Sequence, residues 1–230
     1  MSEKGQLFVV GTPIGNLKDI TIRAISTLQN VDLILAEDTR NSKKLLNAHN
    51  IDTNMISYHE HSNENETQRI IDLLNDGKNL ALISDAGTPT ISDPGYGLIR
   101  NCIKKKIKII PIPGASAITA ALSVSGLPSD SFSFYGFLPQ KKGRLKKIKD
   151  FINIDNTIIL FESPYRLEKT LNQILDLLGN RTVVIGRELT KLYEEIIRGN
   201  LIEVIEHFSK TKVKGEIVIM IGKDDDRINF

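Results

Sequence analysis

The sequence carries a single cysteine, Cys102, so no internal disulfide is possible and a reducing compartment suits it. Excess charge of one sign is also missing. Thirty lysines and arginines against 28 aspartates and glutamates leave a formal net charge of +2. That excludes a global polyelectrolyte field and confines any nucleic-acid contact to local patches. No apolar run reaches the length of a membrane span, and the one in MSEKGQLFVVG is too short for a secretory signal, so a soluble, cytoplasmic protein is expected. The G-x-S-x-G elbow and the H-E-x-x-H helix are absent, which removes hydrolase and metalloprotease readings. His59 and His61 lie far from Cys102 with no second ligand pair, so a metal site is not expected.

What is present is ordinary for a globular chain, with 40% hydrophobic and 25% charged residues over 230 positions, enough for one large domain or two moderate ones. Apolar runs at residues 7–10, 31–36, 55–58, 80–83 and 107–112 alternate with helical patterns at 19–29, 41–48, 66–75, 95–105 and 115–125. Short strands alternating with such helices indicate βαβ units, and run-like strands indicate a parallel sheet covered on both faces. After residue 126 the rhythm changes. Residues 131–137 and 215–221 alternate more clearly, with helices at 144–152 and 165–178 and strands at 157–161 and 182–187 between them. A mixed second sheet is expected, with the domains divided at 1–117 and 118–230.

In an open α/β sheet, ligands bind beyond the carboxyl ends of the strands. Those ends read GTPIGN at 11–16, EDTR at 37–40, SDAGTPTISDPG at 84–95 and PGASA at 113–117. Glycine lets backbone approach a ligand, proline stiffens the loop and short polar groups give directional hydrogen bonds. Plain turn residues are the alternative for any one loop, and four on one edge weaken it. The first loop lacks G-x-G-x-x-G spacing and has no phosphate-loop lysine. Asp85 and Asp93 would repel a pyrophosphate. The edge therefore suits a neutral or cationic ligand with hydroxyls and amines, and S-adenosylmethionine fits.

VVGTPIGNLKDIT, ILAEDTR, ALISDAGTPTISDPG, PIPGASA, FYGFLP, LFESPYR, RELTK and KGEIV resemble, in order and spacing, the ribosomal RNA small-subunit methyltransferase I family of the tetrapyrrole-methylase superfamily. The resemblance covers residues 7–221. It implies a two-domain α/β fold, an N-terminal parallel-sheet domain and a C-terminal mixed-sheet domain, with S-adenosylmethionine in the cleft between them. It also implies a homodimer that 2′-O-methylates a cytidine (position 1402) of 16S ribosomal RNA in the 30S subunit. Many members carry a further C-terminal helical region where this sequence runs to Phe230, so ribosome contacts are expected elsewhere on the chain. The family's His-x-His-Asn-Glu stretch appears as HEHSNE at residues 59–64, with one residue interposed.

By this resemblance Pro13, Asp85, Ala86, Gly87, Thr88, Ser92, Ser116, Ala117 and Leu189 surround the cofactor. Ser116 reads equally as a helix cap. The second half of the 84–95 loop is expected to shape the cleft and start the next helix. Glu37, Asp38 and Arg40 are the catalytic candidates, either for proton acceptance or for holding a phosphate. An N-cap with an internal salt bridge is the alternative there. Lys141, Lys142, Arg144 and Lys146 belong to a run of six basic residues within nine that suits RNA phosphates or a solvated helix face. Arg166 and Lys191 are further RNA candidates, with an Arg166–Glu162 ion pair as the alternative. Lys104, Lys105 and Lys106 end a helix, where cations are favoured anyway. Two other readings remain, a methylase of small tetrapyrrole-like molecules and a non-catalytic ribosome-assembly binder.

Overall fold

The computed structural model describes residues 3–59, 64–210 and 212–223. Two compact units result, Met1–Ser116 and Ala117–Phe230.

The first unit runs β1 (Gln6–Val10), α1 (Ile22–Asn30), β2 (Leu33–Ala36), α2 (Thr39–Ala48), β3 (Met55–Ser57), α3 (Glu64–Asn75), β4 (Leu80–Ile83), α4 (Tyr96–Lys104) and β5 (Lys108–Ile112). Its sheet has the order β3-β2-β4-β1-β5, and every pairing is parallel. The period of two along a strand sends successive side chains to opposite faces. Ile34, Ala36, Ala81 and Ile83 join the core under α1 and α2, while Leu35, Leu80 and Leu82 join the core under α3 and α4. Both faces are therefore apolar, which explains strands that read as continuous runs. α1 and α2 carry the chain one way across the sheet and α3 and α4 carry it back on the other face, as right-handed crossovers require. The first helix starts later than its pattern suggests. Asn16 caps a short 3-10 helix, Leu17–Asp19, the chain is extended again at Ile20, and the Thr21 hydroxyl then caps α1 by accepting from the Ala24 N–H at 3.1 Å.

The second unit runs α5 (Ala117–Ser123), β6 (Phe132–Phe137), α6 (Arg144–Asp150), β7 (Thr157–Glu162), α7 (Leu167–Leu178), β8 (Thr182–Arg187), β9 (Glu195–Asn200), α8 (Leu201–Ser209) and β10 (Ile217–Ile221). The sheet order is β6-β7-β10-β8-β9, with β6 parallel to β7 and all other pairings antiparallel. Ile158, Leu160, Val183, Ile185 and Ile219 face a core closed by α6, α7 and α8. β9 and α8 are the elements the sequence reading leaves unassigned. The strand EIIRGN is an edge strand holding a glycine and two charges, which dilutes its β signature. The helix is set by an Asn200/Glu203 capping box, and it buries Leu201, Val204 and Phe208.

One buried charge cluster ties this unit together. Glu162 ends β7 with a fully buried carboxylate, which pairs with Arg144 at 3.2 Å and Arg166 at 2.6 Å. Thr170 donates to the same carboxylate at 2.7 Å and itself receives an N–H from Arg144, while Gln173 accepts from the Arg144 Nε at 2.8 Å. Removing one member of a buried, hydrogen-bonded pair strands the other, at a cost of about 3–5 kcal/mol. Arg144→Ala is expected to lower stability by that amount in urea denaturation followed by circular dichroism. The exposed neighbours Lys142→Ala and Lys146→Ala are expected to stay within about 0.5 kcal/mol of wild type.

Candidate cofactor and nucleophile site at the first sheet's carboxyl edge

The loops after β1, β4 and β5 are locked to each other by backbone. Thr12 and Gly87 exchange hydrogen bonds, Thr12 N–H to Gly87 O at 2.8 Å and Gly87 N–H to Thr12 O at 3.2 Å. The buried Thr12 hydroxyl donates to the Ser84 carbonyl at 3.1 Å. Gly11 and Gly114 meet so closely that a Cβ on Gly114 would lie 2.6 Å from the Gly11 oxygen, and one on Gly11 would lie 2.9 Å from the Gly114 Cα. Any side chain at either position would prise the first and fourth loops apart. Pro13 is buried against this junction, and Gly87 holds a φ of 78° that favours glycine.

The loop after β2 joins the same edge through Asp85. One Asp85 oxygen accepts the Asp38 N–H at 3.1 Å and the other accepts from Asn41 Nδ2 at 2.9 Å. The Asp85 N–H in turn donates to Glu37 Oε2 at 3.3 Å. Asp38 has a different duty. It caps α2, accepting the Arg40 N–H at 2.8 Å, and binds the Arg40 guanidinium through both oxygens at 3.1 and 2.6 Å. The Arg40 bonds hold the Asp38 carboxyl down to about 2, which makes it a weak proton acceptor. The Arg40 side chain is 88% exposed despite that pair, so its outer face is open to solvent.

Asp93 and Asn41 belong to this edge although the sequence reading named neither as a site residue. Burial raises the Asp93 carboxyl to about 6; a hydrogen bond with Ser84 works against the rise, and the nearby charges of Glu37 and Asp85 add to it. The rise comes first from loss of solvent around the carboxyl, and the charges of Glu37 and Asp85 add a smaller negative field that a cationic ligand would relieve. The backbone that presents Asp93 is strained, with Thr90 at φ 75° and Ser92 at φ 65°, a region that costs a β-branched residue in particular. Gly95 follows at φ 125°, where a Cβ would sit 2.8 Å from Leu82 Cδ2. The second half of the loop leads into α4, whose N-cap is Gly95, and carries Asp93 between two positive-φ turns.

The other expected residues divide clearly. Ala86, Thr88 and Ser116 lie in the first unit on the connecting loops, and the Ala115 carbonyl is 3.8 Å from where a Gly87 Cβ would stand. Ser92 is exposed in the strained turn. Ala117 opens α5 in the second unit. Leu189 is buried there between Glu188 and Thr190, both with positive φ, and its side chain covers Gly186. Lys191 pairs with Glu188 at 2.9 Å and Glu216 at 3.0 Å. Lys141, Lys142 and Lys146 are exposed, whereas Lys147 stands 4.1 Å above the Tyr135 ring. Arg144 corrects the expectation of a phosphate contact, since its guanidinium is buried on Glu162 and is 4% exposed. Arg166 is mostly engaged by the same carboxylate. Residues 60–63 of the HEHSNE stretch, His61 among them, lie outside the described residues. Among the described residues no group of three metal-ligating side chains converges.

The model of the tetrapyrrole (corrin/porphyrin) methylases matches residues 6–205. A Halalkalibacterium halodurans protein named ribosomal RNA small subunit methyltransferase I is 50% identical over 227 residues, covering 98% of this chain and 78% of that protein. Its namesake in Thermotoga maritima is 49% identical over 221 residues, 96% of this chain and 100% of that protein. The one in Bacillus subtilis is 45% identical over 230 residues, 99% and 79%. Among solved structures, diphthine synthase superposes with a TM-score of 0.75 at 15% identity, covering 95% of this chain and 90% of that one. Cobalt precorrin-4 methyltransferase gives 0.69 at 18%, covering 94% of each. At such identities the likeness is one of fold. The family model and the near-complete relatives agree, and the chain belongs to the ribosomal RNA small subunit methyltransferase I family of the tetrapyrrole methylases.

Proposed function

We propose that the protein is an S-adenosylmethionine-dependent methyltransferase that 2′-O-methylates a cytidine ribose of 16S ribosomal RNA in the small subunit, acting in the cytoplasm as a homodimer. The observation that carries this reading is the identity of about half of all residues, over nearly the whole chain, with relatives that bear the rRNA methyltransferase name. The acidic carboxyl edge supports the donor. Glu37, Asp85 and Asp93 suit a sulfonium or ammonium and oppose a phosphate, while the Gly11–Gly114 junction leaves backbone free to line the ligand.

S-adenosylmethionine supplies a methyl group on a positively charged sulfur. Pro13, the 85–88 segment and Ser116 hold and orient the donor. A ribose hydroxyl must lose its proton as the new O–C bond would form and the methyl–sulfur bond would break, with S-adenosylhomocysteine as the leaving group. Burial raises the Asp93 carboxyl to about 6, and it takes that proton, whereas Asp38 stays committed to Arg40. In-line positioning within the strained loop supplies much of the remaining acceleration. Lys141, Lys142 and Lys146 of the second unit meet RNA phosphates.

Purified protein, 30S subunits and labelled S-adenosylmethionine are expected to give one ribose-methylated nucleotide by mass spectrometry, and light scattering is expected to give twice the mass of one chain. Modification of a small tetrapyrrole with no ribose methylation would overturn the substrate reading. The Asp93 carboxyl is ionised above about 6, so kcat is expected to be flat at higher pH and to fall as pH drops through that value. Asp93→Asn is expected to lower kcat about 100-fold and, with one carboxylate fewer facing the sulfonium, to weaken cofactor binding by a smaller factor. Gly114→Ala, by contrast, is expected to weaken cofactor binding in calorimetry by about tenfold or more, because it parts two loops rather than removing a reacting group.

A further inference from the structure

A cavity of about 430 Å³ opens between α3 and α4, beside the acidic edge. Its volume is in the range of small-molecule sites. Asp93 forms one wall, so the cavity is contiguous with the carboxyl group that faces Glu37 and Asp85. Gln68 and Asn101 line it from the two helices, with Tyr58 and Thr67 hydrogen-bonded to each other at 3.3 Å. Each amide commits one N–H to its own helix, Gln68 Nε2 to Asp72 Oδ1 at 2.7 Å and Asn101 Nδ2 to the Gly97 carbonyl at 2.9 Å. Their carbonyl oxygens are the acceptors they can offer. With the Glu64 and Asp93 carboxylates set against the single ammonium of Lys105, the lining is rich in acceptors and poor in cations. It disfavours a phosphate and suits a planar ligand that presents N–H donors.

The helix beside the cavity carries a second, independent feature. Tyr96, Arg100 and Lys104 recur every four residues and so share one face of α4. Tyr96 is 67% exposed, Arg100 and Lys104 are exposed, and the Arg100 guanidinium lies 5.8 Å from the Tyr96 ring centroid. An exposed aromatic ring, a stacked guanidinium and a lysine in line form a platform for single-stranded nucleic acid, pairing base stacking with phosphate attraction.

Resting on the RNA reading above, we propose that the cavity receives a nucleobase bearing an exocyclic amine, with the Tyr96–Arg100–Lys104 stripe carrying the adjoining strand. The base enters between α3 and α4 with its amine toward Gln68 and Asn101, which leaves its ribose beside Asp93. Such readout of a splayed base by edge hydrogen bonds and stacking is the usual way proteins read RNA sequence.

Fluorescence anisotropy with short single-stranded oligocytidine and oligouridine provides the test, since uracil puts a carbonyl where cytosine has its amine. Wild-type protein is expected to prefer oligocytidine by at least about fivefold, the low end of what base-reading pairs supply. Gln68→Leu, on the exposed wall, and Asn101→Leu are each expected to remove the preference, while affinity for S-adenosylhomocysteine stays within about twofold. Arg100→Glu is expected to weaken both oligonucleotides alike and to flatten the salt dependence. Equal binding of the two oligonucleotides by wild type overturns the proposal, as does loss of S-adenosylhomocysteine affinity in step with Gln68→Leu, which would make the cavity part of the cofactor site. Methylation of 30S subunits at one nucleotide together with equal binding of the two oligonucleotides sinks this inference alone; failure to bind RNA or methylate 30S subunits sinks the RNA reading as well.

Discussion

Thr12 and Gly87 exchange two backbone hydrogen bonds across loops that are 75 residues apart, and the rest of the candidate site hangs on that exchange. A parallel sheet delivers its strand ends to one edge but does nothing by itself to order the loops beyond them. Here the ordering comes from backbone. The Thr12–Gly87 bridge fastens the first loop to the third, and the Gly11–Gly114 approach fastens it to the fourth. Asp85 then reaches the second loop through Asp38 and Asn41. Polar backbone groups that would otherwise need water are satisfied by each other.

That arrangement concentrates negative charge. Three carboxylates, Glu37, Asp85 and Asp93, share the edge, and the neighbouring Asp38 is paired with Arg40. Burial, with the charges of Glu37 and Asp85 adding to it, raises the Asp93 carboxyl to about 6. A site of this kind is costly without a cation and complementary with one. The second unit solves its own charge problem in the opposite way. Glu162 is surrounded by two arginines, a threonine hydroxyl and its following N–H, so the cluster is neutralised and structural. The two acidic centres look alike as sequence and differ in whether their cations are buried with them.

Much of the architecture was legible because burial on two faces leaves a mark in one dimension. The runs at β2 and β4 and the helical patterns between them specify a parallel sheet, and the Gly/Pro-rich strand ends mark its ligand edge. Glu37 and Asp85 were legible as site residues for the same reason. Asp93 was legible only as a charge opposed to pyrophosphate, since its raised value comes from burial and from charges that the fold brings near. Asn41 looked like any polar helical residue. Arg144 was misread because a basic run says nothing about which member turns inward; its position at the start of α6, opposite Thr170 and Gln173 of α7, decides that.

By itself, then, the sequence determined the alternation of strands and helices, the polar strand ends and the family motifs, all of which are local patterns or ordered strings that need no third dimension. Tertiary structure alone decided which carboxylate pairs with which cation, which glycines touch, and that α3 and α4 enclose an acceptor-lined cavity next to Asp93. Those outcomes depend on groups tens of residues apart meeting within a few ångströms, and electrostatics and close packing fall off too steeply with distance for chain position to stand in for proximity.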